Sequence, residues 1–94
     1  MVLIAKLKFV HIYAGHGDVY IVHNTKKEFA NGHTHIHNYN TAKYLAKLIT
    51  HEQIPRDCKS IYLLESFIRL ETNPKRIQKV QEQINTLKKK KRRR

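Results

Sequence analysis

The histidines of this chain are spaced in a way that could form a metal-binding or catalytic site. Three of the seven histidines, His33, His35 and His37, alternate with other residues along one short run. In an extended segment alternate side chains share one face, so their rings could converge on a divalent metal. His11, His16 or His23 could supply a further ligand that closes the site. Surface histidines need no ligand, however, and neither a carboxylate nor a thiol stands near the run. His33, His35 and His37 are therefore candidate metal ligands only, and we predict no cofactor.

The same run resembles the triad of the histidine-triad nucleotide hydrolases, in which the middle histidine attacks a phosphate. His35 would be that residue here. Thr34 departs from the apolar pattern of the triad, and fewer residues precede His33 than that family has. The seven carboxylates of the chain are scattered singly, so they do not form an acid–base pair. We predict that the protein is not an enzyme.

A run of seven adjacent cations is the strongest signal of a binding partner. Its members are Lys88, Lys89, Lys90, Lys91, Arg92, Arg93 and Arg94. They supply +7 of the net charge of +12, so residues 1–87 still carry 12 − 7 = +5. Cations at this density attract phosphates without reading base sequence, and the release of counterions makes such binding sensitive to salt. A polybasic tail over 88–94 is therefore predicted to bind nucleic acid.

Three further cations, Lys75, Arg76 and Lys79, fall on the outer face of a predicted helix and would extend this phosphate-binding surface. The sequence leaves open whether the partner is DNA or RNA, single strand or duplex. It also leaves open whether this helix reads bases as a recognition helix does. No lipidation site or long apolar segment accompanies the charge, so we expect no membrane partner. The single cysteine fits a reducing compartment, and we expect the protein in the cytoplasm.

The body that positions these residues is predicted to be one compact α+β domain over residues 1–87. Residues 2–13 are rich in β-branched and aromatic side chains and predict one strand, and residues 19–23 predict a second. The turn cluster between them contains Gly15 and Gly17, so the pair is predicted to form an N-terminal antiparallel β-hairpin. The pattern is also compatible with a short third strand over 33–37.

Three helices are predicted to follow the hairpin, which gives the order ββααα. The first helix begins at a capping residue, Asn38 or Asn40, and must end before Pro55. The second begins after Asp57 or Ser60 and runs to about residue 70. It is apolar over most of its circumference, which is typical of the buried centre of a small domain.

The third helix is predicted to begin at Thr72-Asn73-Pro74, a capping residue followed by a proline at the first helical position. The polybasic tail would extend it. This helix has an apolar stripe that can pack inside the domain or pair with a second copy in a homodimer. The stripe consists of Ile77, Val80, Ile84 and Leu87.

In three places the chain resembles small uncharacterised proteins of bacteriophages that infect low-GC Gram-positive bacteria. These places are residues 31–45, the pair Ile54-Pro55 and residues 63–70, within a region of about 20–75. The resemblance implies a phage-encoded protein of the host cytoplasm and assigns no activity to any residue. Phages use small basic proteins to handle nucleic acid or to disable host machines that do so.

The predicted function is thus non-enzymatic binding of nucleic acid, through phosphates and with little base specificity. An alternative is a protein-binding inhibitor or regulator of a host nucleic-acid machine, of which an anti-CRISPR-like counter-defence factor is one form. In that case the partner is a host nucleic-acid–protein complex. A third hypothesis is a metal site in the histidine run.

Overall fold

The structure of the protein, a computed structural model, describes residues 1–92, with side chains described up to Lys89. Two residues of the predicted tail, Arg93 and Arg94, lie outside the described residues. Four strands precede three helices: β1 Val2–Leu7, β2 Val10–Ala14, β3 Tyr20–Asn24, β4 His33–Ile36, α1 Tyr39–Thr50, α2 Ile61–Leu70 and α3 Pro74–Arg92. The strands form one antiparallel sheet in the order β1-β2-β3-β4. The predicted α+β class is confirmed, but the order is ββββααα rather than ββααα.

The prediction of a single strand over residues 2–13 was wrong, since this segment forms β1 and β2. Leu7 pairs with Val10, which leaves Lys8 and Phe9 as a two-residue turn. Lys8 has a φ of +54°, a left-handed conformation that Gly, Asn or Asp normally supplies, so the sequence does not signal the turn. The turn also explains why apolar and polar residues alternate imperfectly over residues 2–13. The inward-facing position is odd-numbered at Leu7 in β1 and even-numbered at Val10 in β2.

The predicted glycine turn joins β2 to β3 and not the first strand to the second. A hydrogen bond of 2.8 Å from the backbone N–H of Gly15 to the carbonyl of Val19 closes it. The expected short third strand over 33–37 is the fourth strand of the sheet, β4. The prediction therefore found the hairpin but undercounted the strands, and the sheet is a four-stranded meander.

The helices begin at the residues that the sequence indicated. The side chains of Asn38, Ser60 and Asn73 cap α1, α2 and α3 by accepting hydrogen bonds of 3.0, 3.2 and 2.9 Å from backbone N–H groups two or three residues on. Pro74 occupies the first position of α3, where its missing N–H costs nothing. Helix starts were predictable because a cap is a local interaction between near neighbours.

One face of the sheet packs on α1 and α2, and α3 packs on α2 on the side away from the sheet. The central position of α2 agrees with its apolar circumference, and Phe67 is its largest fully buried side chain. Sheet and helices share one core: Val10, Ile12, Val22, Ile36, Ala42, Leu45, Ala46, Leu48, Ile49, Leu64, Phe67, Leu70, Val80 and Ile84. Within residues 1–92, none of the helices combines the length and apolarity that crossing a bilayer requires.

Candidate nucleic-acid interface

The start of α3 is anchored by Glu71, a carboxylate that is only 2% exposed at the junction with α2. Its Oε1 accepts a hydrogen bond from Nε of Arg76 at 2.9 Å, and its Oε2 accepts one from Nη2 at 3.3 Å. Oε2 also accepts the backbone N–H groups of Thr72 and Asn73, at 2.9 and 3.1 Å. These four hydrogen bonds fix the direction in which α3 leaves α2.

Arg76, one of the predicted phosphate-binding residues, is thus part of the structural framework. The side-chain hydrogen bond to Glu71 raises the pKa of Arg76 above its ordinary value, burial opposes this rise, and the charges of Glu71 and Glu52 add to it. Glu52 is 76% exposed and lies 3.7 Å from Nη1 of Arg76. A phosphate at Arg76 would therefore compete with two carboxylates for the same guanidinium.

The other predicted cations of α3 lie at its two ends. Lys75 and Lys79 are exposed on its first turns, and Lys88 and Lys89 are exposed near the opposite end. At a rise of 1.5 Å per residue, Lys75 and Lys89 are about 14 × 1.5 = 21 Å apart along the helix axis. The single carboxylate of α3, that of Glu82, lies between these two clusters.

As expected from the sequence, α3 extends into the predicted tail. The helical backbone of α3 continues through Leu87 and includes Lys90, Lys91 and Arg92. The backbone of the tail therefore follows the helical rise as far as Arg92.

A cleft of about 610 Å³ opens between α1, the loop that follows it, and α3. Arg56 and Lys79 line it together with Arg76, and Tyr44 and Glu52 contribute further polar groups. Sequence reasoning missed Arg56, which stands in a loop and belongs to no periodic pattern. Its position enlarges the N-terminal cation cluster of α3 by a residue from outside the helix.

The face of the sheet opposite the helices brings the histidines together in a way that the sequence did not indicate. Strand register aligns two cross-strand rows on this side, which we call the outer sheet face. Its first row is Lys6, His11, His23 and His33, and its second row is Leu3, Tyr13, Ile21 and His35. The inward positions between them, such as Ile12, Val22 and Thr34, are buried.

The candidate metal ligands do not form a site in the described structure. The rings of His33 and His35 share the outer sheet face with centroids 5.1 Å apart, as expected for an extended run. His37 lies beyond the end of β4, and Nδ1 of His33 is hydrogen-bonded to the carbonyl of Phe29. Among residues 1–92, no group of three His, Cys, Asp or Glu side chains is placed to hold a metal ion.

The two edges of the sheet differ in how they are covered. Along β4, Nε of Arg69 donates to the carbonyl of His33 at 3.0 Å, and the hydroxyl of Tyr62 donates to the carbonyl of His35. Both donors come from α2, so they cap an edge that would otherwise offer free acceptors. The β1 edge instead exposes a run of apolar side chains: Met1, Val2, Leu3 and Ile4.

The apolar stripe of α3 is largely used inside the chain. Val80 and Ile84 are buried in the core, and Leu87 packs partly buried against it. Ile77 is half-buried. A homodimer through this stripe would have to rely on the parts of Ile77 and Leu87 that remain accessible.

The chain matches no family model, no curated protein and no solved structure. Its function must therefore be inferred from the arrangement of its own residues.

Proposed function

We propose that the protein is a small non-enzymatic nucleic-acid-binding protein that contacts phosphates and has little base specificity. The observation that carries this proposal is the charge of α3. Within Pro74–Arg92, eight side chains are cationic and Glu82 alone is anionic, which gives the helix 8 − 1 = +7. Such a helix repels itself, and phosphates that neutralise it stabilise it.

Phosphate contacts would come from the two cation clusters of α3. The N-terminal cluster consists of Lys75 and Lys79 with Arg56 beside them, and the C-terminal cluster begins with Lys88 and Lys89. Most of these cations are lysines, whose ammonium acts as a point charge and lacks the planar fork of arginine, so we expect the clusters to bind with little selection of sequence. The ion pair of Arg76 with Glu71 would hold the helix in place for this contact.

The experiment is fluorescence anisotropy with labelled DNA and RNA, single-stranded and duplex, over a series of salt concentrations. For duplex DNA, removing one cation that neutralises a phosphate makes the plot of log affinity against log salt shallower by about 0.9. We expect Lys75→Gln/Lys79→Gln to reduce the slope by about 2 × 0.9 = 1.8. Replacing all seven cations of 88–94 by Gln, a good helix former, should reduce it further while preserving α3.

A charge-matched control distinguishes binding by α3 from attraction to any positive surface. Lys43→Gln/Lys47→Gln removes the same two charges from α1, and we expect a clearly smaller change of slope. Equal changes of the salt slope for the two double variants would show that α3 has no special role in binding phosphates. Absence of binding to every oligonucleotide at low salt would refute the proposed function.

The open β1 edge favours a second candidate, a protein-binding inhibitor or regulator of a host nucleic-acid machine. Met1, Val2, Leu3 and Ile4 are between 40% and 68% exposed on this edge. An exposed apolar edge strand is a template for pairing with a strand of another protein. The anti-CRISPR-like role and the phage origin that the sequence suggested belong to this candidate.

This second candidate is tested by inhibition of a purified host enzyme that acts on nucleic acid. A lysine on an edge strand blocks strand pairing, so Ile4→Lys should restore the activity of the enzyme without changing affinity for free oligonucleotides. Restoration by the Gln-substituted tail instead would mean competition for the nucleic acid, which is the first proposal.

A further inference from the structure

The outer sheet face is rich in aromatic rings and free of carboxylates. Five of its eight residues carry rings: His11, Tyr13, His23, His33 and His35. Phe29, from the loop before β4, adds a sixth and stacks on His33 with centroids 4.2 Å apart and planes 9° from parallel. None of the four strands contains Asp or Glu. An antiparallel sheet with one face on helices normally turns a mixed polar face to water, and this one instead presents a group of π-systems.

Cations stand at both ends of the first row. Lys6 on β1 is paired with His11, and Arg69 of α2 is anchored to the carbonyl of His33 at the β4 edge. Nζ of Lys27 donates to the carbonyl of Arg69 at 3.0 Å, which brings a second cation to that edge. The rings thus lie between positive charges at the two edges of the sheet.

We propose that the outer sheet face binds single-stranded nucleic acid, with bases stacked on its rings and phosphates at Lys6 and Arg69. This inference rests on the proposed function and names the form of nucleic acid that this second surface takes. Each base has a π-face, so stacking on His11, Tyr13 or His35 is tolerant of sequence. The charge of the face complements phosphate and repels basic protein surfaces.

The face is too wide to enter the major groove of a duplex. Four strands with spacings of about 4.8 Å span about 3 × 4.8 = 14 Å between the outer backbones, before side chains are added. The major groove is about 12 Å wide and admits a helix or a two-stranded ribbon. Paired bases also have no free faces to stack on the rings. Unpaired nucleotides can splay onto such a sheet, about two or three at a time.

The outer sheet face and α3 are separate surfaces in the described structure, because α3 packs on α2 and not on the strands. Their contributions to binding can therefore be removed independently. Loss of the rings should lower affinity for single strands at every salt concentration without changing the salt slope. Loss of the cations of α3 should change the slope for both single strands and duplex.

The test uses Tyr13→Thr/His35→Thr in the full chain, since threonine suits a strand and has no ring. The control, His51→Asn, removes a ring from an exposed position of the helical side, and it is matched to the single variant His35→Thr. Anisotropy is measured with oligothymidylate, oligouridylate and a DNA duplex, which separates DNA from RNA and single strand from duplex. Circular dichroism checks that each variant is folded, and the single variant His35→Thr, at an exposed position, replaces the double variant if that one unfolds.

We expect the sheet variant to lose about tenfold or more in affinity for one or both single strands and to keep its duplex affinity, whereas the control keeps both. Unchanged single-strand affinity in a folded sheet variant, together with a loss in the Gln-substituted tail variant, overturns this inference and leaves the proposed function standing. A parent chain that binds no oligonucleotide at all overturns both. Equal losses in the sheet variant and its control also overturn the inference.

Discussion

Replacement of Glu71 by Gln should show that the start of α3 depends on one buried ion pair. Gln retains the size of the side chain and one acceptor oxygen, so Thr72 and Asn73 can keep a partner. Its amide nitrogen, however, cannot accept a hydrogen bond from the guanidinium of Arg76. Removing one member of a buried pair costs about 3–5 kcal/mol. The side chain of Arg76 is 20% exposed, so the lower value, about 3 kcal/mol, is expected.

The assay is unfolding by heat and by urea, followed by helical circular dichroism. For a domain of this size 1 kcal/mol shifts Tm by about 4–8 °C, so Glu71→Gln should lower Tm by roughly 12–24 °C. Glu52→Gln is the matched control, because Glu52 contacts the same arginine at 3.7 Å but is 76% exposed. An exposed pair contributes about 0–1 kcal/mol, so this variant should remain close to the parent.

A double-mutant cycle with Arg76→Gln completes the test. Since both single variants leave the other group without its partner, the double variant should be more stable than the sum of the two losses implies. The ion-pair account of this junction is wrong if Glu71→Gln costs no more than Glu52→Gln, or if the two substitutions of the pair are additive.

Four further substitutions have expected effects on the free energy of unfolding, each determined from the urea midpoint. Phe67→Ala should cost about 3–5 kcal/mol, because it empties the largest fully buried side-chain position. Asn24→Ala should cost about 1–3 kcal/mol, because Nδ2 of Asn24 donates at 2.8 Å to the last carbonyl of α2, which would be left buried and unpaired. Lys8→Gly should stabilise the protein by about 1 kcal/mol, since the φ of +54° is unfavourable for lysine. Gly17→Ala should have the opposite sign and similar size, since Gly17 has a φ of +63° with open space around it. An opposite sign at Lys8 or Gly17 would contradict the account of the turns.

Helix limits were the part of the fold that local sequence chemistry predicted best. The side chains of Asn38, Ser60 and Asn73 bond backbone groups two or three residues away, so their effect does not depend on the rest of the chain. The turn at Lys8 was missed for the converse reason, because a lysine with positive φ is held there by the pairing of β1 with β2 and not by its own preference.

The candidate site was predicted in its charge but not in its geometry. Lys75, Lys79, Lys88 and Lys89 could be named from the sequence, since they occupy exposed positions of an amphipathic helix. The partner of Arg76 could not be named from the sequence. Glu71 precedes α3 and anchors this helix only when the α2–α3 junction is buried. Arg56 joins the same surface through a cleft that exists only once α1 and α3 are packed.

The charge of the protein, its helix starts and the alternation that buries one face of each strand follow from the amino-acid sequence alone. The alignment of His11, His23 and His33 in one row does not, because it requires the assembled sheet. The physical reason is register: alternation tells which side of a strand a residue faces, but the pairing of strands tells which residue of the next strand lies beside it. That pairing is set by the turns between neighbouring strands together with the packing of the buried face on α1 and α2.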